Sequence, residues 1–278
     1  MKLSQAAKLF LTYHKAHSKE NSVRAYTLVI AQLLEEFGGE NTEEVTTERI
    51  LSFLSRITEG KKPQTKRTRY SHLLAFFNFI KNNLDPDFRN SCDTPMLKKL
   101  FRARRTFHRD IIEKETVDEI IFRTSKPRNR LMLELMARGG MRISEVLKLT
   151  PSDVNDRRLT LRDPKSGREH EFIFIPQRLA NRLKDYIRDK GINLQQRIFP
   201  ICYEAAGEMV AKAWAVVGIH LRPHDLRRHA ATYASRSGVP IEIISKIILR
   251  HSNLSTSERY LGKISDVEAL KWIDKLYA

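Results

Sequence analysis

Two short segments set cations beside a histidine or a carboxylate at helical spacing. In RPHDLRRHAATYA, His224 and Arg227 stand three positions apart and share a helix face, with Arg222 and Arg228 flanking them. Arginines disfavour protonation of a neighbouring imidazole, yet all four side chains can converge on one anion. In GGMRISEVLKL, Arg142 follows a glycine break and Glu145 comes three residues later. That pair reads either as a surface ion pair or as a phosphate-gripping arginine steadied by a carboxylate. A third segment, RHSNLSTSERYLG, packs Arg250, His251, Arg259, several hydroxyls and Tyr260 together. Its tyrosine is either a core aromatic or a reactive phenol, and the segment alone leaves both open.

The charge balance indicates which anion. Across 278 residues there are 50 Lys+Arg against 33 Asp+Glu, a net charge of +17, and a field of that sign favours a polyanion because phosphate contacts release condensed counterions. Hydrophobic residues at 41% and charged residues at 30% mark a globular chain, long enough for one large domain or two ordinary ones. Cys92 and Cys202 form no CxxC pair, which fits a reducing cytosol with neither disulfides nor a thiolate zinc site. The start, MKLSQAAKLFLTYHKAHSKE, is too polar for a signal peptide, and no segment is apolar enough to span a membrane, so a soluble cytoplasmic protein is expected.

Four helices are expected over roughly the first hundred residues. Ser4 is a candidate cap for a helix carrying Ala7, Phe10, Leu11 and Tyr13, and Ser22 for one carrying Ala25, Val29, Leu33 and Phe37. A third helix begins at Thr47 with Gly60 as its stop, and a fourth is QTKRTRYSHLLAFFNFIKNN. Together they suggest a four-helix bundle. Lys61, Lys62, Lys66, Arg67 and Arg69 cluster at the start of the fourth helix without an acid, where a helix N-terminus already favours anions, so they are read as phosphate contacts. Residues 101–110, with Arg102, Arg104 and Arg105, read as a basic linker, and 111–278 as a larger second domain. That domain is expected to be helical except for one strand pair, Leu159–Leu161 and Glu171–Ile175, joined by a Pro/Ser/Gly turn.

The order and spacing of GMRISEVLKL, DPKSGREHEFIFIP, HDLRRHAAT and RHSNLSTSERYLG resemble the tyrosine recombinase family, the phage integrases and Xer-type site-specific recombinases. The match runs from about Arg142 to Gly262, and the related type IB topoisomerases share the chemistry. The resemblance implies a mainly α fold with a small antiparallel sheet. It would pair an N-terminal SAM-like core-binding bundle (1–100) with a mixed α/β catalytic domain. It also implies roles. Arg142 and Arg227 would hold the scissile phosphate, Lys165 would protonate the leaving 5′-oxygen, and His224 and His251 would serve proton transfer and phosphate hydrogen bonding. Tyr260 would be the nucleophile and Glu145 would steady Arg142. Arg162 and Arg168 bracket Lys165 and are alternatives for its role.

A phenol with an ordinary pKa of about 10 must lose its proton as it attacks a phosphodiester. Guanidiniums, histidine and lysine can offset the charge growing on the phosphoryl oxygens. No metal or other cofactor is therefore expected. The implied partners are double-stranded DNA and further copies of the chain, as dimers on a site and a tetramer in synapsis, with an accessory or partner recombinase a further candidate. The tail SDVEALKWIDKLYA reads as an amphipathic helix, 265–277, that packs on its own domain or on a neighbouring protomer. Helical sequence beginning almost at Ser4 leaves no room for an arm-binding domain, favouring an Xer-like, transposon or plasmid recombinase. A relaxing topoisomerase and a catalytically inactive DNA-binding protein are the competing readings. One position departs from the family pattern: Arg250 stands where glycine is usual, a candidate for an added phosphate contact.

Overall fold

The computed structural model describes residues 1–102, 112–162, 170–215, 217–218, 222–251 and 253–258. The chain divides into two units, Met1–Thr106 and Phe107–Ala278. The first holds α1 (Leu3–His17), α2 (Glu20–Phe37), α3 (Thr47–Ile57), α4 (Pro63–Asn83) and a short α5 (Pro95–Leu100). Its core is aromatic-rich, with Phe10, Phe53, Phe76 and Phe77 fully buried and Phe10 meeting Phe76 edge-on at 5.3 Å.

The serines expected to cap the first two helices lie inside them. Lys2 and Lys19 occupy the N-cap positions without side-chain caps. A backbone bridge fixes the start of α1 instead: Leu3 N donates to Glu40 O and Thr42 N to Met1 O, both at 2.9 Å. α3 is capped by Thr46, one residue before the expected start, whose hydroxyl accepts from Arg49 N. α5 is a fifth helix that the sequence reading did not assign; it ends just before the expected linker and forms because Thr94 and Pro95 supply a cap and a first-turn proline.

The second unit is built round α7 (Pro127–Arg138), in which every residue from Leu131 to Ala137 is buried. α6 (Lys114–Arg123), α8 (Ile143–Lys148), α9 (Gln177–Asp189) and α11 (Pro223–Arg236) pack against it, and α10 (Tyr203–Ala215) packs on α8 and α11. The sheet has three antiparallel strands in sequence order: β1 (Val154–Asn155), β2 (Arg158–Arg162) and β3 (His170–Phe174). β1, too short to show alternation, is the strand that pattern did not reveal. After α11 the chain forms α12 (Ile241–Ile243), a π-helical turn at Ile244–Ile248, and α13 (Leu254–Glu258).

The register pairs Leu159 with Ile173 and Leu161 with Glu171. Leu159, Leu161 and Ile173 face the core, and so does Glu171, whereas Phe172 and Phe174 face outward. A carboxylate thus occupies an inward position of a strand whose two phenylalanines are exposed.

Candidate active site

Arg142 enters from the break between α7 and α8. Gly140 has φ +61, and a Cβ there would lie 2.8 Å from Ile248 O, so both conformation and space demand glycine. The turn delivers Arg142 to the N-cap of α8, where its backbone N donates to Glu145 Oε2 at 2.8 Å and its guanidinium to Glu145 Oε1 at 2.5 Å. The same local device recurs at α11: Arg222 N donates to Asp225 Oδ2 at 2.9 Å, fixing the turn that carries His224 and Arg227. In both cases a carboxylate in the first helical turn satisfies an N-terminal amide and complements the helix dipole.

Arg227 is fully buried, and its guanidinium donates to Gly140 O and to Leu249 O. It therefore ties α11 to the glycine turn and to the end of the π-helical turn. His251 N donates to Ser245 O at 2.9 Å, and its ring Nδ1 lies 2.9 Å from Ser257 Oγ, which is 2.8 Å from Ser245 Oγ. Ser257 Oγ gives its one proton to Ser245 Oγ, so the ring Nδ1 donates to Ser257 Oγ and, in the neutral imidazole, Nε2 is left as an acceptor.

The electrostatics show these side chains acting on one another. Burial, then Arg227 and Arg142, lower the pKa of His224, although the residue is exposed overall; Asp225 opposes them. Burial, then Arg227, Arg142 and Arg250, lower that of His251 to about 4. Both imidazoles are neutral at pH 7, as the clustering of arginines led us to expect for His224. For Glu145, burial opposes ionisation, but Arg250, Arg142 and Arg227 outweigh it and hold the carboxyl below its ordinary value.

Arg250, a candidate for an added phosphate contact, is turned into the protein in this structure. Its side chain is 2% exposed and turns inward, donating to Glu145 Oε2 and to Ile248 O, each at 2.8 Å. Its φ is +50, in the left-handed region that favours glycine. The sequence signal was there, an arginine at a position that favours glycine, but its partners lie too far away in the chain to be guessed.

Arg142, Glu145, His224, Arg227 and His251 are thus gathered from three separated segments. Lys165 and Tyr260 lie outside the described residues, as do Arg104, Arg105, Arg168 and the tail 265–277. Arg162 is exposed and committed to Asp153 and Ser152, donating to Asp153 Oδ1 at 2.7 Å and to Ser152 Oγ at 2.8 Å. Lys61, Lys62 and Arg102 are exposed and Lys66 and Arg67 half-buried. Arg69 is committed within its own unit, donating to Ile57 O at 2.7 Å and to Gln32 Oε1 at 3.2 Å. Among the described residues no group of three or more His, Cys, Asp or Glu is placed to hold a metal ion, and no helix is long and apolar enough to cross a membrane.

Comparison with known proteins places this arrangement. The chain is 27% identical over 270 residues to the tyrosine recombinase XerA of Pyrococcus furiosus, covering 92% of this chain and 89% of that one. It is 28% identical over 284 residues to a tyrosine recombinase of Thermosipho africanus, covering 96% of each. Among solved structures, the Tn1549 transposon integrase in complex with transposon right end DNA superposes with a TM-score of 0.78 at 16% identity, covering 100% of both chains. A lambda integrase dimer bound to a core site superposes with a TM-score of 0.72 at 17% identity, covering 96% of this chain and 81% of that one; at such identities the likeness is one of fold. The model of the phage integrase family matches residues 111–264, more than half of the chain, which therefore belongs to this family of tyrosine recombinases.

Proposed function

We propose that the chain cleaves and rejoins specific duplex DNA sites, with Tyr260 attacking a phosphodiester to form a 3′-phosphotyrosyl link and release a 5′-hydroxyl. The observation that carries this reading is the convergence of Arg142, His224, Arg227 and His251, which lie close enough for both arginines to depress both histidines. On this reading Arg142, fixed by Glu145, grips the nonbridging oxygens. Arg227, fully buried and held on Gly140 O and Leu249 O, would have to be uncovered to grip the phosphate beside Arg142. Neutral His224 hydrogen-bonds a phosphoryl oxygen, neutral His251 presents Nε2 as a proton acceptor, and Lys165 protonates the leaving 5′-oxygen. Because the phosphotyrosyl link keeps the energy of the bond it replaces, a second 5′-hydroxyl can reverse the attack without ATP.

Further copies of the chain belong to the same proposal. A lambda integrase dimer bound to a core site and a lambda integrase tetramer bound to a Holliday junction share this fold, at TM-scores of 0.72 and 0.73. Dimers on one site, pairing into a tetramer, would suit a strand exchange between two duplexes, with the bundle unit clamping DNA and helix 265–277 docking on a neighbour. Unchanged cooperative assembly after deletion from Ser265 would count against that docking.

A duplex nicked near the cleavage point tests the chemistry, because loss of the short 5′-hydroxyl fragment traps the covalent intermediate. The wild-type chain is expected to form a covalent protein–DNA complex that Tyr260→Phe abolishes; a wild type that forms none would overturn the reading. Strand exchange between two labelled sites then separates recombination from simple relaxation.

A further inference from the structure

We propose that Arg250 is a positioning residue that joins Glu171 of β3 to Glu145 of α8, and so holds Arg142 in its phosphate-gripping orientation. The inference rests on the phosphodiester-cleaving function proposed above for Arg142. Two independent anomalies meet at this point. Arg250 adopts φ +50, where glycine is the unstrained choice, so the backbone alone gives no reason for an arginine. Glu171 occupies a buried inward position of a strand whose phenylalanines face out. Each explains the other. Arg250 Nε lies 3.5 Å from Glu171 Oε2, and its side chain is 2% exposed against 5% for that of Glu171.

That first link is an ion pair without hydrogen-bond geometry, and from Arg250 onward the contacts to the site are hydrogen bonds. Arg250 donates to Glu145 Oε2 at 2.8 Å, and the same oxygen accepts the Arg142 backbone N at 2.8 Å. Glu145 Oε1 takes the Arg142 guanidinium at 2.5 Å. Arg250 also reaches Gly140 O at 3.4 Å, the carbonyl to which Arg227 donates. Without Arg250, Glu171 is an inward carboxylate that has lost its arginine, and Glu145 is left with Arg142 alone of the two guanidiniums it accepts from. Arg142 would then be drawn further toward protein carboxylates and away from substrate. A buried cation matched by two carboxylates is strongly coupled to both, since removing one member leaves a desolvated charge unpaired.

The test compares Arg250→Gly, Glu171→Gln and the double variant in the wild-type chain. Glycine accepts φ +50, so Arg250→Gly relieves the backbone while deleting the bridge. Single-turnover covalent-complex formation on the nicked duplex is measured at saturating protein, with DNA affinity and its salt dependence measured alongside. Arg250→Gly is expected to slow cleavage by about 10- to 100-fold while leaving affinity within about threefold, as misorientation rather than lost binding requires. Glu171→Gln alone is expected to slow cleavage severalfold. In the double variant the Glu171 change should restore part of the rate lost through Arg250→Gly, because it removes the carboxylate left unpaired. Effects that simply multiply would overturn the inference, as would Glu171→Gln cleaving at the wild-type rate. So would a loss of about 0.9 in the salt slope in Arg250→Gly, the mark of a direct phosphate contact. If Arg250→Gly is poorly folded, Glu171→Gln alone still decides it, because cleavage at the wild-type rate overturns the inference and a severalfold loss at unchanged DNA affinity supports it. A wild type without covalent complex fails the functional reading instead, a result distinct from additive variants in an active chain.

Discussion

At the scale of single residues, the site is a crowd of positive charge steadied by very few carboxylates. Its clearest consequence is in His251, whose pKa is held at about 4 by burial and by Arg227, Arg142 and Arg250. Unfolding releases the imidazole to its ordinary value near 6.5, so the unfolded state binds more protons between those two values. Stability from this group is full above about pH 6.5 and is lost as pH falls toward 4; the ring is half-buried, so solvent screening keeps the loss well below what the full shift would give. His251→Gln should flatten the acid limb of a denaturant-midpoint profile across pH 4–6.5, and an unchanged limb would contradict the placement of the ring. His224, lowered in the same direction, adds to the slope in the parent protein but not to the difference between the two profiles.

At the scale of elements, turns and helix starts do most of the positioning. Gly140 gives α8 its entry angle, and Arg227 reads that turn through its donation to Gly140 O. Gly140→Ala combines a left-handed backbone with a Cβ 2.8 Å from Ile248 O, so a loss of about 1–3 kcal/mol in unfolding free energy is expected, together with slower cleavage. A wild-type denaturation midpoint in this variant would be the contrary result. The start of α4 separates two kinds of cation that look alike in a sequence. Arg69 serves the C-terminal end of α3 through Ile57 O, whereas Lys62 stands exposed at the N-cap of α4. Arg69→Met is expected to cost about 1–2 kcal/mol of stability with no change in the salt dependence of DNA binding. Lys62→Met should do the reverse, reducing the slope of log K against log salt by about 0.9. Paired thermal melts and salt titrations distinguish them.

At the scale of the whole molecule, a net charge of +17 and a chain in two units agree with a protein that handles a long polyanion. Much of this was legible beforehand. α4 begins one residue before the helix expected there and ends on the same residue, and β2 and β3 fall on the expected strand pair. Such features depend on periods of 3.6 and 2 along a few residues, which a linear reading captures. β1 and α5 were not legible, the one because two residues carry no alternation, the other because its cap falls in a stretch dominated by charge.

By itself, the sequence determined which side chains are present, their order, and the local pairs that helix geometry enforces, such as Arg142 with Glu145 and His224 with Arg227. Those pairs are three residues apart, and the helix brings them together wherever it lies. Only the tertiary structure decided that Arg227 is buried against Gly140 O, that Glu171 faces inward, and that Arg250 turns toward Glu145 rather than toward solvent. Arg250 and Glu145 are 105 positions apart, and no local periodicity encodes a contact at that separation. It comes from the packing of α8, β3 and the π-helical turn into one unit, where a desolvated guanidinium must find its carboxylates across the fold.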